Sequence, residues 1–444
     1  MSSRSRSLTL GERIDRARRI SLAFGRIYFR VRSHRFLARR IQPADVAERW
    51  ETLHRTNAQE IYDLAVDLQG LILKGCQFAS ARADVLPKPY QEILGQLQDK
   101  VPAYPFDVAR GLVEEELGRP LEEVFREFAE EPLAAASLAQ VHAAVLKDGT
   151  PVAVKVQYPD IGALVRSDLA NLRALFRAVG WLEPDFDLMP LIDELGASVP
   201  LELDFLNEGR NAERIAEFLA GRDDVTIPVI HWKWSTRRVL VMERMHGRKI
   251  TDTEALRSAG VDLEAVMRTL IEVFAEMILV RGFFHGDPHP GNLLVESETG
   301  RLVILDFGLA KELPDRFRET VLGFATALLQ GDSAAMGHAL IELGFETRDG
   351  REESLHEIAE LILGVAKEIR QDGRVDPETM ARLREEIPER IRQNPIVRVP
   401  HHLVLVGRVL ALLTGLNAAL GAKVDFLKIL MPIALGVVGK APQK

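Results

Sequence analysis

Three short stretches carry residue types that could act on a phosphorylated substrate. Lys155 sits inside the apolar run Val152-Ala153-Val154-Lys155-Val156. An ammonium in such a strand needs a partner, because burying it unpaired is very costly; from an edge strand it would instead snorkel to water. His285-Gly286-Asp287-Pro288-His289-Pro290-Gly291-Asn292 places an Asp and an Asn five residues apart in a Gly/Pro-rich loop. Asp306-Phe307-Gly308 follows the apolar run Val303-Ile304-Leu305. The chemistry fits together. A lysine neutralises phosphate charge, while an Asn amide oxygen and an Asp carboxylate ligate magnesium. A further Asp orients an attacking hydroxyl or accepts its proton.

Each piece is weak alone. The lysine reads as an edge residue, the loop as a plain turn, and Asp-Phe-Gly is a three-letter match. Their order and spacing are what carry weight. A strand-borne Val-Ala-x-Lys, then Asp and Asn five apart, then Asp-Phe-Gly across a strand-turn-strand is how protein kinases hold ATP and magnesium. Lys155, Asp287, Asn292 and Asp306 are therefore the candidate site. Residues 239–245 read as a strand and hinge, where backbone groups of Glu243 and Met245 would face an adenine edge and Met242 would border it.

The elements that must position these residues follow from periodicity. Apolar residues recur at three- and four-residue spacing over 44–117, cut into short helices by Pro87, Pro89, Pro102 and Pro105. Residues 138–146 and 152–157 read as strands joined through Lys147-Asp148-Gly149-Thr150, where Asp-Gly is a hairpin signal. A helical stretch spans 159–219, strands return at 225–229 and 238–242, and helices follow over 263–280. Strands 293–295 and 302–305 flank a turn at Gly300, and everything after Pro314 reads as helical. The expected fold class is α+β, a protein-kinase-like two-lobed fold with an N-terminal helical extension. Its expected divisions are a basic arm (1–45), a helical extension (46–132), an N-lobe (133–245) and a helical C-lobe (246–444).

Bulk composition narrows the classes. The chain has 444 residues, 47% of them hydrophobic, and a formal net charge of -8. No long basic face appears in its body, so nucleic acid is not an expected partner. The one cysteine, Cys76, excludes an internal disulfide and a cysteine zinc framework and points to a reducing, cytoplasmic-type compartment. Residues 402–421 are the most apolar stretch, but Arg408 and Asn417 favour a buried helix over a membrane span. The arm is different. Up to residue 40, Arg13, Arg16, Arg18, Arg19, Arg26, Arg30, Arg32, Arg35, Arg39 and Arg40 face only Glu12 and Asp15. A peripheral contact with an anionic membrane, an organellar targeting segment and a helix covering the core are all open readings of it.

Four features of the chain resemble the UbiB-like atypical kinases, also called the AarF family. Ala134-Ala135-Ala136-Ser137-Leu138-Ala139-Gln140-Val141-His142 resembles that family's alanine-rich nucleotide loop. Glu202-Leu203-Asp204-Phe205, followed by Glu208 and Asn211, resembles its E-x-D-F-x-x-E-A-x-N run. Lys74-Gly75-Cys76-Gln77 resembles its K-x-G-Q signature, followed by Leu86-Pro87 and Leu97-Gln98-Asp99-Lys100-Val101-Pro102. The loop 285–292 resembles its catalytic loop. The chain departs at Gly75 and Cys76, which stand as K-G-x-Q, and at Gly209, where the family has Ala.

The resemblance implies ATP (or ADP) and Mg as cofactors and Glu208 as the helix partner of Lys155. It implies that Glu202 and Asp204 meet the Lys74 and Gln77 segment over the site, where a peptide substrate would otherwise lie. Ala134, Ala135, Ala136 and Ser137 would approach the phosphates differently from glycines, because each methyl holds the backbone back. The family also implies a role in isoprenoid-quinone (ubiquinone) lipid metabolism, with a lipid or quinone-pathway intermediate as partner. No Ala-Pro-Glu follows Asp306-Phe307-Gly308 before the helical pattern at Pro314. A conventional protein kinase is therefore disfavoured. A small-molecule phosphotransferase and a nucleotide-gated scaffold without phosphoryl transfer are the rival readings.

Overall fold

The computed structural model describes residues 10–38, 43–80, 86–98, 103–182, 189–372, 394, 396–434 and 436. The chain forms two compact units. The first comprises residues 1–214, 227–247 and 303–309; the second comprises 215–226, 248–302 and 310–444.

The first unit opens with helices α1 (Leu10–Ala38), α2 (Pro43–Leu68), α3 (Gly70–Ser80), α4 (Lys88–Leu94), α5 (Phe106–Leu117) and α6 (Leu121–Val124). The break between α2 and α3 is sharp. Gln69 and Gly70 both take left-handed backbone (φ +51° and +61°), and a Cβ on Gly70 would meet Leu164 Cδ2 at 2.5 Å. Only glycine fits there. The carbonyls freed at Leu68 and Gln69 accept from the guanidinium of Arg16, whose Nε also donates to the buried Asp168 at 2.7 Å. Helix α1 is thereby pinned to the body of the unit: Ile20 and Ala23 are buried, and Phe24 packs edge-on against Phe176. Several arm arginines are used internally, with Arg19 paired to Asp67 and Arg26 and Arg30 to Glu60. Residues 1–9 and 39–42 of the expected arm, and 99–102 of the resemblance, lie outside the described residues.

An antiparallel sheet follows, in the order β1 (Phe125–Ala135), β2 (Ala139–Leu146), β3 (Pro151–Gln157), β5 (Val239–Glu243). The β2–β3 hairpin turns at Gly149 (φ +91°), and Asp148 Oδ1 accepts from the Thr150 amide at 2.9 Å. Strand β1 was not expected. It starts at Phe125, so it straddles the expected boundary at 132/133. It is an edge strand, charged, bulged and interrupted by Pro132, and lacks the apolar alternation that marks a half-buried strand. Helices α7 (Ile161–Leu182), α8 (Met189–Glu202) and α9 (Phe205–Phe218) connect β3 onward; the last residues of α9 and the short strand β4 (Val225–Thr226) after it are counted with the second unit.

The second unit is mainly helical. It holds β6 (Arg248–Lys249), α10 (Thr253–Ser258), α11 (Leu263–Ala275), β7 (Phe283–His285) and β8 (Leu293–Val295). Asp262 caps α11 by accepting from Glu264 and Ala265 amides, and the buried Val266, Met267, Leu270, Ile271 and Phe274 form its inner stripe. After β9 (Leu302–Ile304) come β10 (Ala310–Glu312), α12 (Phe317–Gln330), α13 (Ser333–Leu343), β11 (Glu346–Thr347), α14 (Glu352–Asp372), β12 (Ile396–Arg398), α15 (His401–Ala419) and α16 (Phe426–Ala434). The tail after Pro314 is thus not wholly helical, because β11 and β12 pair antiparallel. Helix α15 buries Leu405, Val409, Leu413 and Leu416 along one face. Among the described residues, 402–419 is the one helix long and apolar enough to cross a membrane, and 22% of it is buried.

Candidate active site

Strand register places Lys155 opposite Val141 and Leu240, inside the sheet, with its ammonium over the ring of Phe205 at 5.3 Å. Phe205 opens α9, so Glu208 lies one turn along the same helix. Lys155 Nζ donates to Glu208 Oε1 and Oε2 at 2.7 and 2.8 Å and lies 3.2 Å from Asp306 Oδ2. Two carboxylates therefore share one ammonium. Burial alone would lower the Lys155 ammonium, but Asp306 and Glu208 outweigh it and raise it above the usual lysine range. Burial pushes Glu208 up, to about 7, against the pull of Lys155.

Asp306 differs from its partners. Its side chain is 42% exposed and its backbone is left-handed at φ +58°. Strain of that kind in a non-glycine costs on the order of 1–3 kcal/mol and persists only where the surroundings fix it. Two contacts do so: Asp306 Oδ1 accepts from the Gly308 amide at 3.3 Å, and Asn211 Nδ2 donates to the Phe307 carbonyl at 3.0 Å. The turn thus fixes a half-open carboxylate with one oxygen beside the Lys155 ammonium.

The run 202–211 divides its duties. Glu202 pairs with Lys74 of α3, and Gln77 on the same helix donates to the Leu97 carbonyl at 2.9 Å. Asp204 does not join Lys74, contrary to expectation. Its Oδ1 accepts from the Leu206 amide at 3.1 Å, fastening the start of α9, and its other oxygen faces Arg237 at 3.9 Å. Gly209 has a local reason: a Cβ there would meet the Trp232 ring at 2.6 Å. In the K-G-x-Q segment, Gly75 faces Leu195 of α8, and Cys76 is buried, its thiol pushed up to about 12 by burial.

Ala134 and Ala135 belong to the end of β1, opposite Val141 and Gln140, and the Ala136 amide donates to the Ala139 carbonyl at 2.8 Å. The alanine segment is a closed hairpin tip with Ser137 buried. Behind it, Gln140 Oε1 accepts from the Tyr104 amide, Gln140 Nε2 lies 2.9 Å from His142 Nε2, and His142 Nδ1 faces the Ala129 carbonyl at 2.8 Å. At the hinge, the Glu243 amide is committed to the Val229 carbonyl at 2.8 Å. It is therefore not the free donor that the expected adenine contact would need.

Asp287 and Asn292 belong to the second unit. The buried His285 accepts from the Asp287 amide through Nδ1 at 3.0 Å. His289 Nδ1 accepts from the Gly291 amide, forming the single turn that ends at Asn292. Asn292 Nδ2 donates to the Asp287 carbonyl at 3.2 Å, which leaves its oxygen out of that bond. Sequence reasoning missed Arg408. From α15 it donates through Nη2 to Asp287 Oδ1 at 2.7 Å. The signal was available, since an arginine in the most apolar stretch of a chain needs an anion.

Comparison with known proteins decides the family. The description "ABC1 atypical kinase-like domain" matches residues 96–340. The chain belongs to the ABC1 atypical kinase family. AarF domain-containing protein kinase 1 of Xenopus tropicalis is 41% identical over 284 residues, 63% of this chain and 54% of that protein. Its Mus musculus counterpart is 41% identical over 275 residues, 61% and 52%. An uncharacterized protein of Synechocystis is 32% identical over 394 residues, 87% and 68%. The chain spans about half the length of the AarF kinase 1 relatives it matches. A solved complex of Rv3197 with erythromycin from Mycobacterium tuberculosis is similar at a TM-score of 0.58 and 25% identity, covering 86% of this chain and 97% of that one.

The fold class expected from sequence, α+β and protein-kinase-like with N-terminal helices, is that of this ABC1 domain. The match begins at residue 96, so α1 to α4 precede it. Each unit offers an oxygen donor suited to a metal, the Asp306 carboxylate in the first and the Asn292 amide in the second. Groups of three or more His, Cys, Asp or Glu suited to a metal are absent among the described residues. A lone carboxylate of this kind is the type of oxygen donor magnesium takes, usually together with substrate phosphates.

Proposed function

We propose that this ABC1 family member binds ATP or ADP with magnesium and transfers the terminal phosphoryl group to a hydroxyl or to water. The carrying observation is the Lys155, Glu208 and Asp306 cluster: a buried ammonium held in place by one carboxylate and shared with a second, half-exposed one. Magnesium, when bound, would neutralise phosphate charge. Asp306 would hold it, with Asn292 assigned to the same task by its spacing in the loop. Lys155, kept protonated, would pair with the phosphates. Asp287 would orient the attacking oxygen through the carboxylate oxygen that Arg408 does not take. The closed alanine hairpin favours a looser grip on phosphate than a glycine loop gives, since its amide at Ala136 is already spent.

A lipid acceptor in isoprenoid-quinone metabolism is the substrate class we favour, and it rests on resemblance to the AarF family. Peripheral contact with an anionic membrane is supported by the end of α1, where the exposed Phe29, Phe36 and Leu37 lie among the exposed Arg32 and Arg35. Turnover of labelled ATP by the wild type and Asp287→Asn, with anionic vesicles, neutral vesicles and soluble hydroxylated acceptors, tests the reading. Turnover that needs Asp287 and rises with anionic vesicles supports it. A rise only with a soluble acceptor moves the substrate to small molecules, and no turnover in any arm removes the phosphoryl-transfer step.

A further inference from the structure

Gln140-Val141-His142 closes the alanine-rich run, yet the proposed phosphoryl transfer gives it no task. Both of its polar side chains are buried, Gln140 at 1% and His142 at 0% exposure. They share one face of β2, opposite Val156 and Val154 of β3, while Lys155 pairs with Val141 and so belongs to the other face. Buried polar atoms need partners, and here the partners fix where the protons sit. Gln140 Oε1 accepts from the Tyr104 amide at 2.8 Å. Its Nε2 is therefore left to donate, to the Tyr104 carbonyl at 3.3 Å and to His142 Nε2 at 2.9 Å. His142 Nε2 is then an acceptor, and the ring proton sits on Nδ1, donating to the Ala129 carbonyl at 2.8 Å. The network closes only for a neutral imidazole. A proton on Nε2 would face the Gln140 NH2 group, donor against donor. Turning the amide over to accept that proton would set the same NH2 group against the Tyr104 amide.

The surroundings offer an imidazolium little. The rings of Phe106 and Phe128 lie 5.9 and 5.4 Å from that of His142. Asp107 of α5 and Arg126, Glu127, Glu130 and Glu131 of β1 are exposed, and Arg110 of α5 is taken by Glu114 and Glu122. Tyr104 is a neutral phenol, raised by burial. Burial lowers His142, and the Ala129 carbonyl opposes it more weakly. The three anchors belong to different pieces of the first unit. Tyr104 leads into α5, and Gln140 follows Ala139, whose carbonyl closes the hairpin tip onto the Ala136 amide. Ala129 lies where β1 is bulged: β1 runs from Phe128 to Pro132 while β2 covers only Ala144 to His142. We propose that Gln140 and His142 are positioning residues for the alanine hairpin, which they hold to Tyr104 and to β1 while His142 is neutral and release when it takes a proton. The released ring binds a proton as an ordinary imidazole does, near pH 6.5, and the closed one less readily. The hold is therefore complete above about pH 6.5 and is lost as the pH falls below it. Its consequence for the nucleotide rests on the function proposed above: a hairpin that the ligand must re-form lowers the apparent affinity by the fraction still formed.

The test compares the full chain with His142→Gln and Gln140→Glu. Glutamine at 142 keeps one acceptor and one donor and cannot titrate. Glutamate at 140 accepts from the Tyr104 amide and from a protonated ring together, so it inverts the preference. Hydrogen exchange across 125–146 is followed without nucleotide, and magnesium-ADP affinity is measured by calorimetry, each at about pH 7.5 and about pH 5.5. Proteins are compared at one pH, so the intrinsic rate of exchange and the nucleotide's own protonation cancel. Wild type and His142→Gln should be equally protected at the higher pH, and wild type alone should lose protection, about tenfold, at the lower. Its Kd for magnesium-ADP should rise about fivefold more than that of His142→Gln. In Gln140→Glu the loss should move to the higher pH, a reversal that mere damage to packing would not produce. That variant carries the test if His142→Gln fails to fold. Equal protection of wild type and His142→Gln at both pH values overturns the proposal, as does a Gln140→Glu protein that loses protection only in acid. Acid opening with no difference in Kd overturns the positioning role toward the nucleotide. If no protein binds magnesium-ADP at the higher pH, the nucleotide reading fails, and the exchange data alone uphold or overturn the hold on the hairpin.

Discussion

Arg408 holds Asp287 by a 2.7 Å hydrogen bond from Nη2 to Oδ1, within the second unit. The contact ties one carboxylate oxygen to helix α15; under the proposed function the other would face the substrate. Under that proposal Arg408 would be a positioning residue. Arg408→Ala should lower kcat for ATP turnover roughly ten- to a hundredfold, the scale of an angstrom-sized misplacement, with KM for ATP little changed. Arg408→Lys should recover part of the loss. Steady-state kinetics on the three proteins check this. A variant that turns over faster than wild type would show that the contact restrains Asp287 instead of aiming it.

Gly209 gives a test on stability. In a helix, Gly→Ala is ordinarily worth about 1 kcal/mol. Here the added methyl would sit 2.6 Å from the Trp232 ring, so Gly209→Ala should fail to stabilise the protein and should shift tryptophan fluorescence. In a Trp232→Ala background the same change should recover the ordinary gain. Denaturant midpoints for the double-mutant cycle measure the coupling, expected at about 1 kcal/mol or more.

Arg16 and Asp168 are a buried pair, and removing one partner strands the other. Arg16→Met should cost about 3–5 kcal/mol, because Asp168 and the two carbonyls at the α2–α3 break lose their donor. Arg16→Met with Asp168→Leu should recover much of that, since an apolar pair needs no compensation. A truncated chain beginning at Pro43 should be destabilised on the same grounds. Equal midpoints for Arg16→Met and wild type would show that α1 is not anchored by this contact.

Legibility followed the strength of local signals. Lys155, Asp287, Asn292 and Asp306 could be read because each interrupts an apolar or turn pattern that demands a reason for a polar residue. The β2–β3 hairpin was readable from Asp148-Gly149. Strand β1 was not, because an edge strand carrying Arg126, Glu127, Glu130, Glu131 and Pro132 buries too little to impose alternation. Asp204 was misassigned because a side chain that caps its own helix and one that reaches across to Lys74 look the same in sequence. The pairing of Arg408 with Asp287 joins residues 121 positions apart, and no local pattern encodes such a partner.

Under the proposed function, Asp306 holds magnesium on a nucleotide. Thermal unfolding with ATP or ADP, with and without magnesium, on wild type and Asp306→Asn tests it most directly. At a hundredfold excess of ligand over Kd, the magnesium-dependent rise in Tm of the wild type should be about 5 °C. The difference between magnesium and no magnesium is the readout, so any change in basal Tm from losing the contact with Lys155 cancels. Asp306→Asn should show no magnesium-dependent rise. An equal rise in wild type and variant would contradict the account.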